Sequence, residues 1–324
     1  MQKGTIRSVV TIVVAVVLAA LVAWAGSDGG ATLGGVPVIA YCAMVAFAVN
    51  WVAFVPSWVG HTERFYDLVG SLTYLTVTLV ALVAVGRYDA RSLLLAGLVA
   101  VWALRLGTFL FRRIHKDGTD TRFDGIKHDG PRLLMTWTLQ GLWVFLTLAA
   151  ALGAITAAGG VSLGWLVVAG LAVWVAGFAM EAAADRQKRA FRGDPANDGR
   201  FITTGLWAWS RHPNYFGEIT LWVGVALVAL PALAGWRYVT LVSPVFVFLL
   251  LTRVSGVPLL EAKAAQRWGD DPTFVAYTST TPVLVPRPPH RSPAVPRAVL
   301  FPDRRARRDD QGTEHGGGAE RGGE

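Results

Sequence analysis

Apolar residues in this chain run together in long blocks, and each block closes on charged or turn-forming residues. Runs near 20 residues match the ~30 Å hydrocarbon core that a helix must cross. Eight such segments are predicted, covering approximately residues 8–25, 36–58, 67–86, 92–111, 136–157, 161–181, 214–234 and 238–256. They are apolar on every face, whereas a spanning barrel needs alternating segments of ~10 residues, so helices are favoured over strands. The predicted fold is an all-α, polytopic transmembrane bundle of seven or eight spans.

Composition agrees with that pattern. Of 324 residues, 53% are hydrophobic and 16% charged, well below the ~25% charged residues of soluble domains. The net charge of +8 is explained by basic loops facing anionic lipid, without a nucleic-acid partner. With one cysteine, Cys42, the chain has no intrachain disulfide and no cysteine metal cluster, and no metal site is expected.

Lys and Arg fall unevenly between the segments. Lys3 and Arg7 precede the first, Arg112, Arg113, Lys116, Arg122, Lys127 and Arg132 follow the fourth, and Arg186, Lys188, Arg189, Arg192, Arg200 and Arg211 follow the sixth. Loops 26–35 and 157–162 carry almost none. An even span count puts the basic loops on one side, and the positive-inside rule makes that side, with both termini, cytoplasmic. Ala23-Trp24-Ala25 before Gly26 also resembles a signal cleavage site, and its use would leave seven spans. Residues 1–91 form an N-terminal group of helices, residues 92–286 the main membrane domain, and residues 287–324 a Pro-, Arg- and Gly-rich tail expected to be disordered.

Ionisable groups inside spans are costly, so their positions carry information. Glu181 and Asp185 lie four residues apart, hence on one helix face. That spacing fits a functional pair or a helix end whose acids meet nearby bases. The loop 193–199, Gly-Asp-Pro-Ala-Asn-Asp-Gly, offers turn backbone beside Arg200 and other bases, which suits an anion. Arg211-His212-Pro213-Asn214-Tyr215-Phe216-Gly217-Glu218 then opens the seventh span. Pro213 suits a first helical turn, Gly217 permits close approach, and Asn214 and Glu218 share a face. Arg211 and His212 stand at its positive end, where an anion is favoured. Arg253-Val254-Ser255-Gly256-Val257-Pro258-Leu259-Leu260-Glu261 predicts a bend at Gly-Val-Pro with a carboxylate beyond it. Upstream, Glu63, Tyr66, Asp67 and Tyr74 surround the start of the third span, and Arg105 is an Arg within an apolar helix that requires a partner.

In these motifs the chain resembles the membrane family built on the steroid 5-alpha-reductase C-terminal domain, in its largely uncharacterised bacterial branch. The resemblance covers roughly residues 92–286. It implies a helical bundle holding NADPH at its cytoplasmic half, in a bacterial inner membrane, with a hydrophobic small molecule entering from the bilayer. It places Asp185, Arg200, Asn214, Glu218 and Arg253 at the cofactor, with Glu181 a weaker match, and Arg211, His212, Tyr215 and Glu261 in the same motifs. The implied reaction is hydride transfer to a C=C bond of a steroid-like or isoprenoid enone. Family members take a substrate-polarising Glu and Tyr from the N-terminal half, where this chain has no clean match; Glu63, Tyr66, Asp67 and Tyr74 are the candidates. The isoprenylcysteine carboxyl methyltransferases, which use S-adenosylmethionine, offer a rival resemblance through His212, Pro213, Tyr215, Gly217 and Glu261. A paired Glu-Glu is usual there, and Ala262 departs from it. A non-catalytic lipid or quinone binder is the third reading. No obligate protein partner is evident in the sequence.

Overall fold

The structure, a computed structural model, describes residues 2–117, 123–159 and 163–289. The side chains of residues 111–117 lie within helix but outside this description. Arg112, Arg113, Lys116 and Arg122 therefore fall outside it, as does the tail from residue 290.

Ten α-helices are described: α1 (Gln2–Gly26), α2 (Val38–Val59), α3 (Tyr66–Val85), α4 (Ala90–Asp117), α5 (Gly130–Ile155), α6 (Trp165–Gly193), α7 (Pro213–Ala229), α8 (Val242–Leu249), α9 (Val257–Trp268) and α10 (Pro272–Thr280). Eight segments are long and apolar enough to cross a membrane, the last running from Gly235 to Trp268 through α8 and α9. The protein is an all-α polytopic helical bundle. A two-residue antiparallel ladder, Thr32–Leu33 with Val36–Pro37, closes the α1–α2 turn.

α5 is the axis of the bundle. Every residue from Val144 to Ile155 is buried, because Ala149, Ala150, Ala151 and Gly153 let neighbouring helices approach closely. A Cβ on Gly153 would collide with Thr240. α1, α2, α3, α7 and α8 pack around α5, and α6 lies outside against α7. α5 starts six residues earlier than its apolar run predicts, since Asp129 caps its first turn and Pro131 fits there. α6 runs twelve residues past the predicted end at 181, carrying Glu181 and Asp185 inside a continuous helix.

Apolar burial gives helices in lipid little reason to associate, so close backbone contact and interhelical hydrogen bonds supply the specificity. Asn50 Nδ2 reaches Thr73 Oγ1 at 3.4 Å, and Trp51 Nε1 reaches Thr138 Oγ1 at 3.0 Å. The face opposite the basic loops is not free of cations: Arg87, Arg91 and Arg237 lie there. Arg87 pairs with Asp89 at 3.1 Å, and Arg237, buried, donates to the Asp28 carbonyl.

Candidate functional site

α6 and α7 pack antiparallel with their backbones touching. Gly170 and Gly177 on α6 meet Gly224 and Gly217 on α7, two glycines seven residues apart on each helix. A Cβ on any of the four would fall 2.5–2.8 Å from backbone atoms of the other helix. Gly217 abuts the Glu181 backbone, so the glycine contact brings the acidic turn of α6 against the polar start of α7. The close approach expected of Gly217 is therefore to α6.

Glu181, Asp185 and Glu218 are 2%, 7% and 8% exposed. Arg105 reaches across from α4 and forks between two of them: Nη1 lies 3.1 Å from Asp185 Oδ2, and Nη2 pairs with Glu181 Oε1. One turn earlier on α4, Trp102 Nε1 donates to Glu181 Oε2 at 3.2 Å. Asn214 Nδ2 donates to Asp185 Oδ1 at 3.3 Å. Glu218 lies within electrostatic reach of Glu181, Asp185 and Tyr74. Three carboxyl groups thus face one guanidinium, an arrangement that favours a ligand carrying hydrogen-bond donors or positive charge.

Tyr74 is the upstream candidate that joins this cluster. Its ring stands edge-on to Trp102 at 5.0 Å and stacks on Trp222 at 6.2 Å, while the two indoles meet edge-to-face at 5.0 Å. The buried Tyr74 hydroxyl lies beside the Thr147 hydroxyl, yet neither closes a hydrogen bond of good geometry among the described residues. A buried phenol left this way is uncommon, since nearly all buried polar groups are paired.

Glu63 and Tyr66 belong to a different place, a small core around Phe123, Leu133 and Trp137 at the basic face. Tyr66 donates to the Thr136 carbonyl at 3.1 Å, with its ring 4.9 Å from both Phe123 and Trp137. Glu63 is buried, 4.0 Å from Lys127. Asp67 is half-buried in the first turn of α3.

A second polar knot precedes α7. His212 Nε2 lies 2.7 Å from Glu261 Oε1, and Arg211 pairs with the other oxygen of the same carboxylate. The His212 ring lies nearly parallel to Tyr215, 5.6 Å away. His212 Nδ1 and Arg211 Nε are buried without a partner among the described residues. The α6–α7 loop is fastened underneath: Trp207 Nε1 donates to Ala184 O at 3.1 Å, Gln187 Oε1 accepts from the Leu206 amide at 2.9 Å, and Lys188 sits 4.5 Å over the Trp207 ring. The C-terminal segment closes it from outside, through Arg211 N to Pro282 O at 2.9 Å and Tyr277 Oη to Trp207 O at 2.7 Å. Burial pushes the Tyr277 phenol well above its ordinary value, against the pull of Arg211, so it stays a hydrogen-bond donor. Arg200 and Arg253 are exposed, the first on the loop and the second in a π-helical turn, Leu250–Val254.

Trp102, Trp222 and the glycine pairs were not singled out by the sequence motifs. The seven-residue glycine spacing on two neighbouring spans was the available signal. A cavity of about 450 Å³ lies elsewhere, between α1 and α2, lined by Ala19, Ala23, Ala43, Phe47 and Trp51 among others.

The fold and site define a polytopic membrane bundle with a buried acidic cluster at one end. The chain belongs to the family described as Protein of unknown function (DUF1295), matched over residues 51–281, a stretch that contains both polar knots. No curated protein and no solved structure matches the chain.

Proposed function

We propose that this protein is an integral-membrane reductase that uses NADPH to reduce the C=C bond of a hydrophobic enone, steroid-like or isoprenoid. One observation carries the reading: Glu181, Asp185, Asn214 and Glu218 converge with Arg105 beside a buried phenol, Tyr74, that lacks a closed hydrogen bond. The donor and acceptor set fits the cofactor. Carboxylates and an amide match ribose hydroxyls and a carboxamide, and the unpaired buried Nε–H of Arg211 matches a phosphate oxygen.

The bound cofactor would supply a hydride. The chain's own residues do the rest. Asp185 and Asn214 orient the cofactor, while Arg105 fixes Asp185 and Glu181 in place. Tyr74 donates a hydrogen bond to the substrate carbonyl, draws electron density from the C=C bond and gives its proton to the enolate oxygen that hydride addition leaves. Trp102 and Trp222 keep water from that phenol. On this reading the basic face is cytoplasmic.

A second reading has one observation in its favour. Three buried carboxyl groups against one guanidinium suit the sulfonium and ammonium of S-adenosylmethionine, and with them a methyl transfer. Thermal shift of detergent-purified protein with NADPH, NADH and S-adenosylmethionine separates the two. A ligand at a hundred times its dissociation constant adds about 2.7 kcal/mol. Stabilisation by NADPH is expected, and stabilisation by S-adenosylmethionine alone would transfer the site to the methyltransferase reading.

A further inference from the structure

Glu261 presents one carboxylate to two nitrogen-bearing side chains that precede α7, the buried His212 imidazole and the largely buried Arg211 guanidinium. Behind them is the start of a 17-residue helix whose first N–H groups have no intrahelical acceptor. A guanidinium, an imidazole and a helix N-terminus arranged around a single carboxylate are the parts of an oxyanion site. Two further observations point to a ligand beyond Glu261. Arg211 Nε and His212 Nδ1 remain buried and unpaired, so Glu261 does not exhaust the hydrogen-bonding capacity of the pair, and the Arg211 Nε–H is a donor left over. The carboxylate also arrives on a helix set apart from the bundle: the π-helical turn and Gly256, at φ −89° and ψ −97°, break the last span just before α9. Val257 is the buried residue of α9, and the helix is otherwise exposed or half-buried. Gly256 is required at the break, because a Cβ would strike the Leu251 carbonyl and approach Tyr215 at 3.0 Å.

We infer that Arg211 and His212 form a phosphate-binding site in which Glu261 is a built-in competitor, and that an incoming phosphate displaces Glu261 and frees the first turns of α9. The far end of α9 stays anchored, since Trp268 Nε1 donates to Gly199 O at 2.8 Å and its ring packs on Phe201. Release is therefore local, between the Gly256 break and Trp268. The inference stands on this knot alone; under the proposed reductase activity the phosphate is that of NADPH, and otherwise it is a free phosphate or diphosphate.

The test uses the full chain in detergent with two probes, inorganic pyrophosphate and NADPH. If Glu261 fills the site nine-tenths of the time, Glu261→Gln tightens pyrophosphate binding by about tenfold, and Arg211→Gln abolishes it. A spin label on Ala262→Cys becomes more mobile when either probe is added to the otherwise unaltered chain. Native Cys42 is buried and does not compete for the label. The label experiment keeps the proposal falsifiable even where Glu261→Gln fails to fold. Pyrophosphate binding without NADPH binding would keep the oxyanion site and remove the reductase reading. Pyrophosphate affinity unchanged or weakened in folded Glu261→Gln, or a label indifferent to both probes, would overturn the inference.

Discussion

Gly217 on α7 lies so close to Glu181 on α6 that a Cβ at position 217 would stand 2.6 Å from the Glu181 nitrogen. The same contact that packs the two helices therefore sets the position of the acidic cluster. Gly217→Ala is expected to force the helices apart and cost about 1–3 kcal/mol, as overpacking does. It should also remove any nucleotide-induced stabilisation. Thermal unfolding in detergent checks both. A variant that melts with the parent and still responds to ligand would detach the glycine contact from the site.

Arg105 pairs with Glu181 and Asp185 together. Arg105→Ala leaves two buried carboxyl groups without their counter-charge, and a loss of about 3 kcal/mol is expected. Arg105→Lys retains charge but not the fork, so it should fall between the two. Denaturation of the three proteins side by side gives the order, and equal stability of Arg105→Ala and the parent would contradict the assigned role.

Tyr74→Phe discriminates a structural phenol from a working one. Because the hydroxyl closes no hydrogen bond, its removal should leave stability unchanged or raise it, by up to about 1 kcal/mol. Turnover of an enone substrate should fall steeply while cofactor affinity holds. Loss of stability with unimpaired turnover is the contrary result.

Asp89 caps α4 outside the spans, accepting from the Arg91 and Ser92 amides at 3.1 Å each. Burial pushes its carboxyl up, but hydrogen bonds from Ser92 and Arg87 outweigh that and hold it below the ordinary carboxylate value. A folded value below the unfolded one means that the cap stabilises above the unfolded value and loses that contribution as pH falls through the folded one. Asp89→Ala should therefore cost about 1 kcal/mol at pH 7. The difference should close as pH drops below about 4. Melting curves at both ends of that range decide the matter, and a gap that persists in acid would refute the cap.

The spans were legible because each is a long apolar run, and the break at Gly256 because Gly-Val-Pro cannot continue a helix. Arg105 announced a partner by its cost in lipid, and Glu181 and Asp185 supply it. The spacing of Glu181 and Asp185 already put both on one face of the sixth helix beyond its apolar run, but not how far that helix continues; it reaches Gly193, with Arg105, Trp102 and Asn214 satisfying its acids. Tyr66 and Tyr74 were indistinguishable in sequence, eight residues apart on one helix. Only the packing of α4 and α7 shows that Tyr74 meets the acidic cluster while Tyr66 spends its hydroxyl on Thr136. α10 escaped notice because nine residues opening on Asp271-Pro272 form too short an element for an apolar run to mark.

The central claim is that the α6–α7 cluster is a cofactor site rather than a helix clamp. Equilibrium binding of NADPH to the purified parent, Asn214→Ala and Glu218→Ala tests it most directly. Saturable binding to the parent, weakened about tenfold or more in both folded variants, is the predicted result, each lost contact being worth about 1.4 kcal/mol or more. Binding of equal strength in all three, or in none, would contradict it.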